Sequence, residues 1–182
     1  MEDSAVIEAC LEGSGEEFRE IVDKYKASVM AIAMNILGNR EDAEDACQET
    51  FVQVFRNLEH FDARLSFRNW LYTILFHRCL DLIKKKRRFR NLTSKVRNEP
   101  VEHFAAGAYN PEEKSQLSQD ILKHLSPKER TVLCLWANEG FTAVEISEVL
   151  RCSASTARVY LFNARRKIKI LLEKSHETFE TR

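Results

Sequence analysis

The residues with the clearest chemistry gather around position 77. Phe67, Trp70, Tyr72 and Phe76 come first, and the run Lys84-Lys85-Lys86-Arg87-Arg88-Phe89-Arg90 follows. Rings stack on unpaired bases while cations track the phosphate backbone, so this combination suits single-stranded DNA. Phe67 and Trp70 also fit an apolar core stripe, and Trp70 suits either role. Tyr72 and His77 fall off that stripe and are the better surface candidates. A second chemistry lies upstream, where Glu41, Asp42, Glu44, Asp45 and Glu49 crowd into one short segment. Dense carboxylates can hold a divalent metal, but on a single helix they more often form a solvated or partner-binding face. A third constellation is Ser153, Ser155, Thr156 and Arg158, followed by Arg165, Arg166, Lys167 and Lys169. Hydroxyls and cations at the start of a helix are the groups that meet base edges and phosphates.

Charge is sorted along the chain although the 182 residues sum to zero. Residues 1–64 carry 15 acidic against 6 basic groups, about −9, and residues 65–98 carry 1 against 10, about +9. Such asymmetry implies two electrostatic faces for two kinds of partner. The basic face suits nucleic acid, and the acidic one a protein.

No catalytic constellation is visible. There is no phosphate-cradling glycine loop, no HExxH, and the histidines at 60, 77, 103, 124 and 176 are dispersed. No enzyme activity, metal or cofactor is expected. The five cysteines are scattered without a CxxC, which reads as reduced thiols in a cytoplasmic protein. The acidic start is not a secretory signal, and no apolar run approaches the ~18 residues of a membrane span.

These residues need helices to position them. Only 5 Gly and 3 Pro leave little turn chemistry for strands, and an all-α fold is expected. Phe18, Ile21, Val22, Tyr25, Val29, Ile32, Ala33 and Ile36 recur at helical spacing over 16–37. Gly38 then supplies a C-cap and Asn39 an N-cap. The next helix spans about 40–58, burying Ala43, Ala46, Cys47, Thr50, Phe51, Val54 and Leu58. Its outer face presents Asp45, Gln48, Glu49, Val52 and Arg56. His60–Leu65 reads as a loop. Ser66 caps a third helix through about Arg88, and three such helices can enclose one core.

Residues 91–112 lose periodicity and read as a flexible linker between two small helical domains, 1–90 and 113–175, with a tail over 176–182. In the second domain, Ser126-Pro127-Lys128-Glu129 and Thr142-Ala143-Val144-Glu145 are capping boxes. A tight turn at Arg151-Cys152 leads to Ser153, which caps a last helix running to about Lys174. A short helix, a tight turn and a helix with exposed polar residues at its start make a helix-turn-helix, whose second helix enters the major groove.

Together the two halves resemble the extracytoplasmic-function (ECF) sigma factors of bacterial RNA polymerase. Asp42-Ala43-Glu44-Asp45-Ala46-Cys47-Gln48-Glu49-Thr50-Phe51 is similar to the DAED-x-x-QE-x-F signature of sigma region 2.2. Phe67-Arg68-Asn69-Trp70-Leu71-Tyr72-Thr73-Ile74 is similar to the F-x-x-WLY-x-I signature of regions 2.3 and 2.4. Leu125-Ser126-Pro127-Lys128-Glu129-Arg130 and the helix-turn-helix resemble region 4. The match spans about 15–90 and 113–172.

The resemblance implies roles. Asp42, Asp45, Gln48, Glu49 and Val52 would dock on the clamp helices of the polymerase β′ subunit, with β a further core contact. His60, Phe67, Trp70, Tyr72, His77, Lys84, Lys85, Lys86, Arg87 and Arg88 would bind the −10 element and hold its extruded bases. Ser153, Ser155, Thr156, Arg158, Arg165 and Arg166 would read the −35 element as duplex. The linker would thread through the polymerase, and an anti-sigma factor would control the whole. Several positions depart from the common pattern: His77 replaces Asn, Arg151 and Ser155 replace Gly, Tyr160 replaces Arg, and Phe162-Asn163 replace His-Arg. Two other readings fit parts of the chain. One is a sigma-like mimic that titrates an anti-sigma factor, and the other a helix-turn-helix repressor.

Overall fold

The computed structural model describes residues 3–11, 16–97 and 121–180. Every regular element among them is helical. The chain divides into two compact units, Met1–His103 and Phe104–Arg182.

The first unit is built around α2 (Glu17–Leu37), α3 (Arg40–Arg56) and α4 (Phe67–Arg97). Gly38 ends α2 in the left-handed conformation (φ 67°), which costs glycine nothing, and donates its N–H to Met34 O at 2.8 Å. Asn39 then accepts the Asp42 N–H on its side chain at 3.0 Å. This two-residue connection folds α3 back along α2, and α4 packs on both. Val29, Ala43, Val54 and Leu71 are fully buried at the centre. A 3₁₀ turn, Leu58–His60, leads into the loop before α4, whose first turn is closed by Ser66 Oγ accepting the Asn69 N–H at 3.3 Å.

Two features differ from the expectation. A further helix, α1 (Asp3–Leu11), packs on α2 through Val6 and Ile7. Nine residues are too few to hold a helix alone. Asp3 fastens it by accepting hydrogen bonds from Tyr25 Oη and Lys24 Nζ, each 2.6 Å. In addition, α4 continues to Arg97, past the expected end near Arg88 and into the first residues of the expected linker. The apolar stripe stops there, but no Gly or Pro interrupts the chain before Pro100, so nothing breaks the helix. Residues 98–120, with most of the expected linker, lie outside the described residues.

In the second unit, α5 (Pro127–Glu139), α6 (Ala143–Leu150) and α7 (Ala154–Glu180) pack on one another. Both capping boxes are formed: Ser126 with Glu129 and Thr142 with Glu145. Val132, Leu135, Phe141, Ile146, Val149, Ala157 and Ala164 make the core. Arg130 is buried with them, its Nε donating to Leu125 O at 3.0 Å, and burial pushes its pKa down. Arg151 forms the turn between α6 and α7 at φ 49°, the one non-glycine residue at positive φ among those described. The Arg151 and Cys152 N–H groups cap Glu148 O and Ser147 O at 3.2 and 3.0 Å, a Schellman closure. The last helix reaches Glu180, through most of the expected tail.

Candidate functional site

Four of the five acidic-helix candidates share the exposed side of α3. Asp45 and Gln48 are exposed, and Glu49 and Val52 are half-buried one turn along. They line a groove of about 480 Å³ against Arg78, Asp81, Leu82 and Lys85 of α4. Glu49 is held there: Gln53 Nε2 donates to its Oε1 at 3.0 Å, and Arg78 donates to the same oxygen. Those two donors hold its carboxyl below the usual range.

Asp42 stands apart from this face. Its residue is 8% exposed, and its carboxylate accepts from Lys86 of α4. Asp42, expected among the docking residues, thus lies off the exposed face that the other four share. At the third position of α3 its side chain turns toward α4, and Lys86 crosses to meet it. Lys86 stays exposed along the basic run, with its ammonium engaged by Asp42.

A second groove was not foreseen in the sequence. It occupies about 840 Å³ between α2 and α3, with Phe18, Val22, Met30, Phe51, Val52 and Phe55 among its lining. Phe55 is 53% exposed and meets Phe18 edge-to-face at 5.0 Å. Spacing carried the signal, since Phe51 and Phe55, like Phe18 and Val22, stand one turn apart.

The aromatic segment divides in two. Phe67 is buried, with Phe61 at 5.6 Å and Trp70 at 5.8 Å from its ring. Trp70 is half-buried and also meets Phe61 at 4.9 Å, so the sequence reading missed Phe61 as a member of this cluster. Tyr72 is not a surface residue. It is 1% exposed, and its Oη donates to Ser28 Oγ of α2 at 2.9 Å. A tyrosine that finds an internal acceptor can be buried whole. His77 is half-buried, and its Nδ1–H donates to Thr73 O at 2.7 Å. His60, Lys84, Lys85, Arg87 and Arg88 are exposed, with Lys84 3.3 Å from Asp81. The carboxylates of α3 are dispersed among cations, and no group of three metal-ligating side chains assembles among the described residues.

On the helix-turn-helix, Ser153 Oγ accepts the Thr156 N–H at 3.1 Å and lies 2.8 Å from both Ser155 Oγ and Thr156 Oγ1. Arg158 and Arg166 are exposed. Arg165 lies over the Trp136 ring at 5.1 Å. Lys167, a candidate phosphate contact, is instead engaged by the buried Glu129 at 2.8 Å.

The sequence profile of sigma-70 region 2 matches residues 21–89, and that of sigma-70 region 4 matches residues 116–168. The ECF RNA polymerase sigma factor SigW of Bacillus subtilis is 29% identical over 168 residues, covering 86% of this chain and 89% of that one. The chain is an ECF sigma factor of the sigma-70 family.

A second relative of this ECF sigma factor is SigE of Mycolicibacterium smegmatis, 30% identical over 169 residues. The alignment spans 89% of the present chain and 64% of SigE. Two solved structures share the fold. One is CnrH in complex with the cytosolic domain of CnrY, with a TM-score of 0.69 at 21% identity over 94% and 97% of the two chains. The other is RpoE in complex with the anti-sigma factor NepR from Bartonella quintana, with a TM-score of 0.70 at 19% identity over 87% and 98%. The region 2 match takes in α2 from Ile21, α3, and α4 to Phe89, hence the groove between α3 and α4, the ring cluster, the basic run to Phe89 and all of the second groove but Phe18. The region 4 match takes in α5, α6 and α7 to Ile168. No helix among the described residues of this sigma factor is long and apolar enough to cross a membrane.

Proposed function

We propose that the first unit of this sigma factor bridges core polymerase and the −10 element, and that α7 reads the −35 element. The observation that carries this is the arrangement of α3 against α4. Asp45, Gln48 and Glu49, with the apolar Val52 beside them, offer a compact docking face on one helix, and Lys84, Lys85, Arg87 and Arg88 an unpaired-strand track on the next. Trp70, half-buried and 4.9 Å from Phe61, is the ring of this cluster assigned to base stacking. Extruding a base costs a few kcal/mol, and a ring face offsets part of that. A helix-turn-helix repressor would leave residues 21–89 without a role.

An anti-sigma factor is the proposed regulator. CnrH and RpoE share this fold, RpoE being solved with NepR and CnrH with part of CnrY. The groove beside Phe55, rimmed by Lys26, Arg56 and the Arg40–Glu44 ion pair, would accept an apolar segment with a flanking carboxylate. The proposed boundaries place polymerase and −10 binding in residues 1–90, a linker over 91–112, and −35 binding in 113–175.

The test is affinity for core RNA polymerase. Reversing the charge at Asp45 together with Glu49 should weaken binding at least tenfold and leave the fold intact by circular dichroism. Unchanged affinity would remove the docking face from α3. A mimic would bind an anti-sigma factor yet support no promoter-dependent transcription.

A further inference from the structure

The outward side of the recognition helix is apolar where base edges would meet it. The inward side of α7 is complete without these residues: Ala157 and Ala164 are buried, and Leu161, Ile168 and Leu171 are half-buried. Ser155, Val159, Phe162 and Arg166 follow one another at intervals of four and three residues on the opposite side. Val159 is 55% exposed and Phe162 63% exposed. A single exposed apolar side chain needs no explanation, but two on one stripe of a DNA-reading helix do.

Their neighbours say what covers them. Arg158, Arg165 and Lys169 are exposed along one flank of the stripe, and Arg166 is exposed within it. Four cations on and beside the stripe favour a polyanion over an apolar protein segment. In the major groove of duplex DNA, the apolar feature on a base edge is the C5-methyl group of thymine. Val159 and Phe162 stand about 4.5 Å apart along the helix axis, against about 3.4 Å between base pairs. They can therefore meet neighbouring positions, with Ser155 and Arg166 bounding them one turn to either side.

We propose that Val159 and Phe162 select thymine in the upstream promoter element by packing on its C5-methyl groups, Phe162 making the larger contact. This rests on α7 being the recognition helix. Selection by methyl contact differs from selection by hydrogen bonding because it vanishes when the methyl is removed and every polar group is kept.

Deoxyuridine makes that change. Holoenzyme reconstituted from the full chain and core polymerase selects promoters from a randomised duplex library. The selected upstream element is then resynthesised with deoxyuridine for thymidine at each position in turn. One or two positions should lose about fourfold in affinity, the worth of one buried methyl. Phe162→Ala should bind thymidine and deoxyuridine duplexes equally at its position, while Phe162→Leu should keep part of the difference. Equal binding of the two bases by the unmodified chain at every position overturns the inference, as does an upstream element without thymine. So does a methyl effect that survives both Phe162→Ala and Val159→Ala. Arg158→Ala separates the two levels. If it weakens dependence on the upstream element while the bases bind equally, α7 still reads DNA and only the thymine inference fails. If no upstream element is selected, both fail.

Discussion

Lys86 of α4 pairs with Asp42 of α3, 44 residues earlier in the chain. One end of this pair is nearly buried and the other half open, with side-chain exposures of 11% and 47%. The pair links the acidic helix to the basic helix and neutralises one charge of each. A charge left without its partner in such a place is costly, although solvent at the lysine end reduces the effect. Lys86→Ala should lower the stability of the first unit by about 1–2 kcal/mol in denaturant unfolding. Its effect on the salt dependence of DNA binding should be small, whereas Lys85→Ala should reduce the slope by about one unit. Equal slopes for the two variants would return Lys86 to the DNA face.

Glu49 is poised differently. Gln53 and Arg78 hold its carboxyl below the ordinary range. A depressed pKa favours the ionised form, so that carboxylate persists as pH falls below the ordinary glutamate range, and its stabilising bonds are lost only on passing the lower folded value. Arg78→Ala should move the Glu49 titration upward in side-chain NMR and weaken polymerase binding at mildly acidic pH more than at neutral pH. A titration that stays in place would mean Gln53 alone sets it.

Tyr72 and Trp70 should separate cleanly. Tyr72→Phe removes the bond to Ser28 and should cost about 1 kcal/mol of stability while promoter opening proceeds normally. Trp70→Ala should impair opening in a 2-aminopurine assay by more than its loss of stability explains. The reverse pattern would mean that Tyr72 leaves the core when DNA binds.

In the second unit, Glu129 caps α5 and engages Lys167. Burial raises its pKa, but the Lys167 ammonium and the Ser126 bonds outweigh that and leave it lowered. The resulting stability is fully present above the unfolded glutamate value near ~4.3 and is lost as pH falls through the folded value below it. Lys167→Ala should lower the melting temperature at pH 7 and flatten its fall between pH 5 and 3. A parallel curve would show that the pair contributes nothing.

Much of this was legible in the sequence because local chemistry and tertiary packing agree. Gly38-Asn39, Ser126-Pro127 and Thr142-Glu145 mark helix boundaries by backbone geometry and hydrogen bonding, which operate within a few residues. The apolar stripes of α2 and α3 are buried as their spacing implies, except Val22, which is half-buried in the groove between them. What stayed hidden depends on partners distant in sequence. The first helix is fastened by Tyr25, Asp42 is turned inward by Lys86, and Tyr72 is buried because Ser28 accepts its hydroxyl. Phe55 and Phe61 fell outside the stripes, and their setting arises where two helices or a loop meet. The extension of α4 was hidden for another reason: periodicity reports a buried face, and Phe89 and Leu92 are exposed.

The most direct measurement is start-site sequencing of transcripts from a randomised promoter library, using purified core RNA polymerase with and without this chain. The account predicts starts that require the chain and lie downstream of two enriched elements, the upstream one altered by Arg158→Ala and opening at the downstream one impaired by Trp70→Ala. Starts that are identical with and without the chain would contradict it.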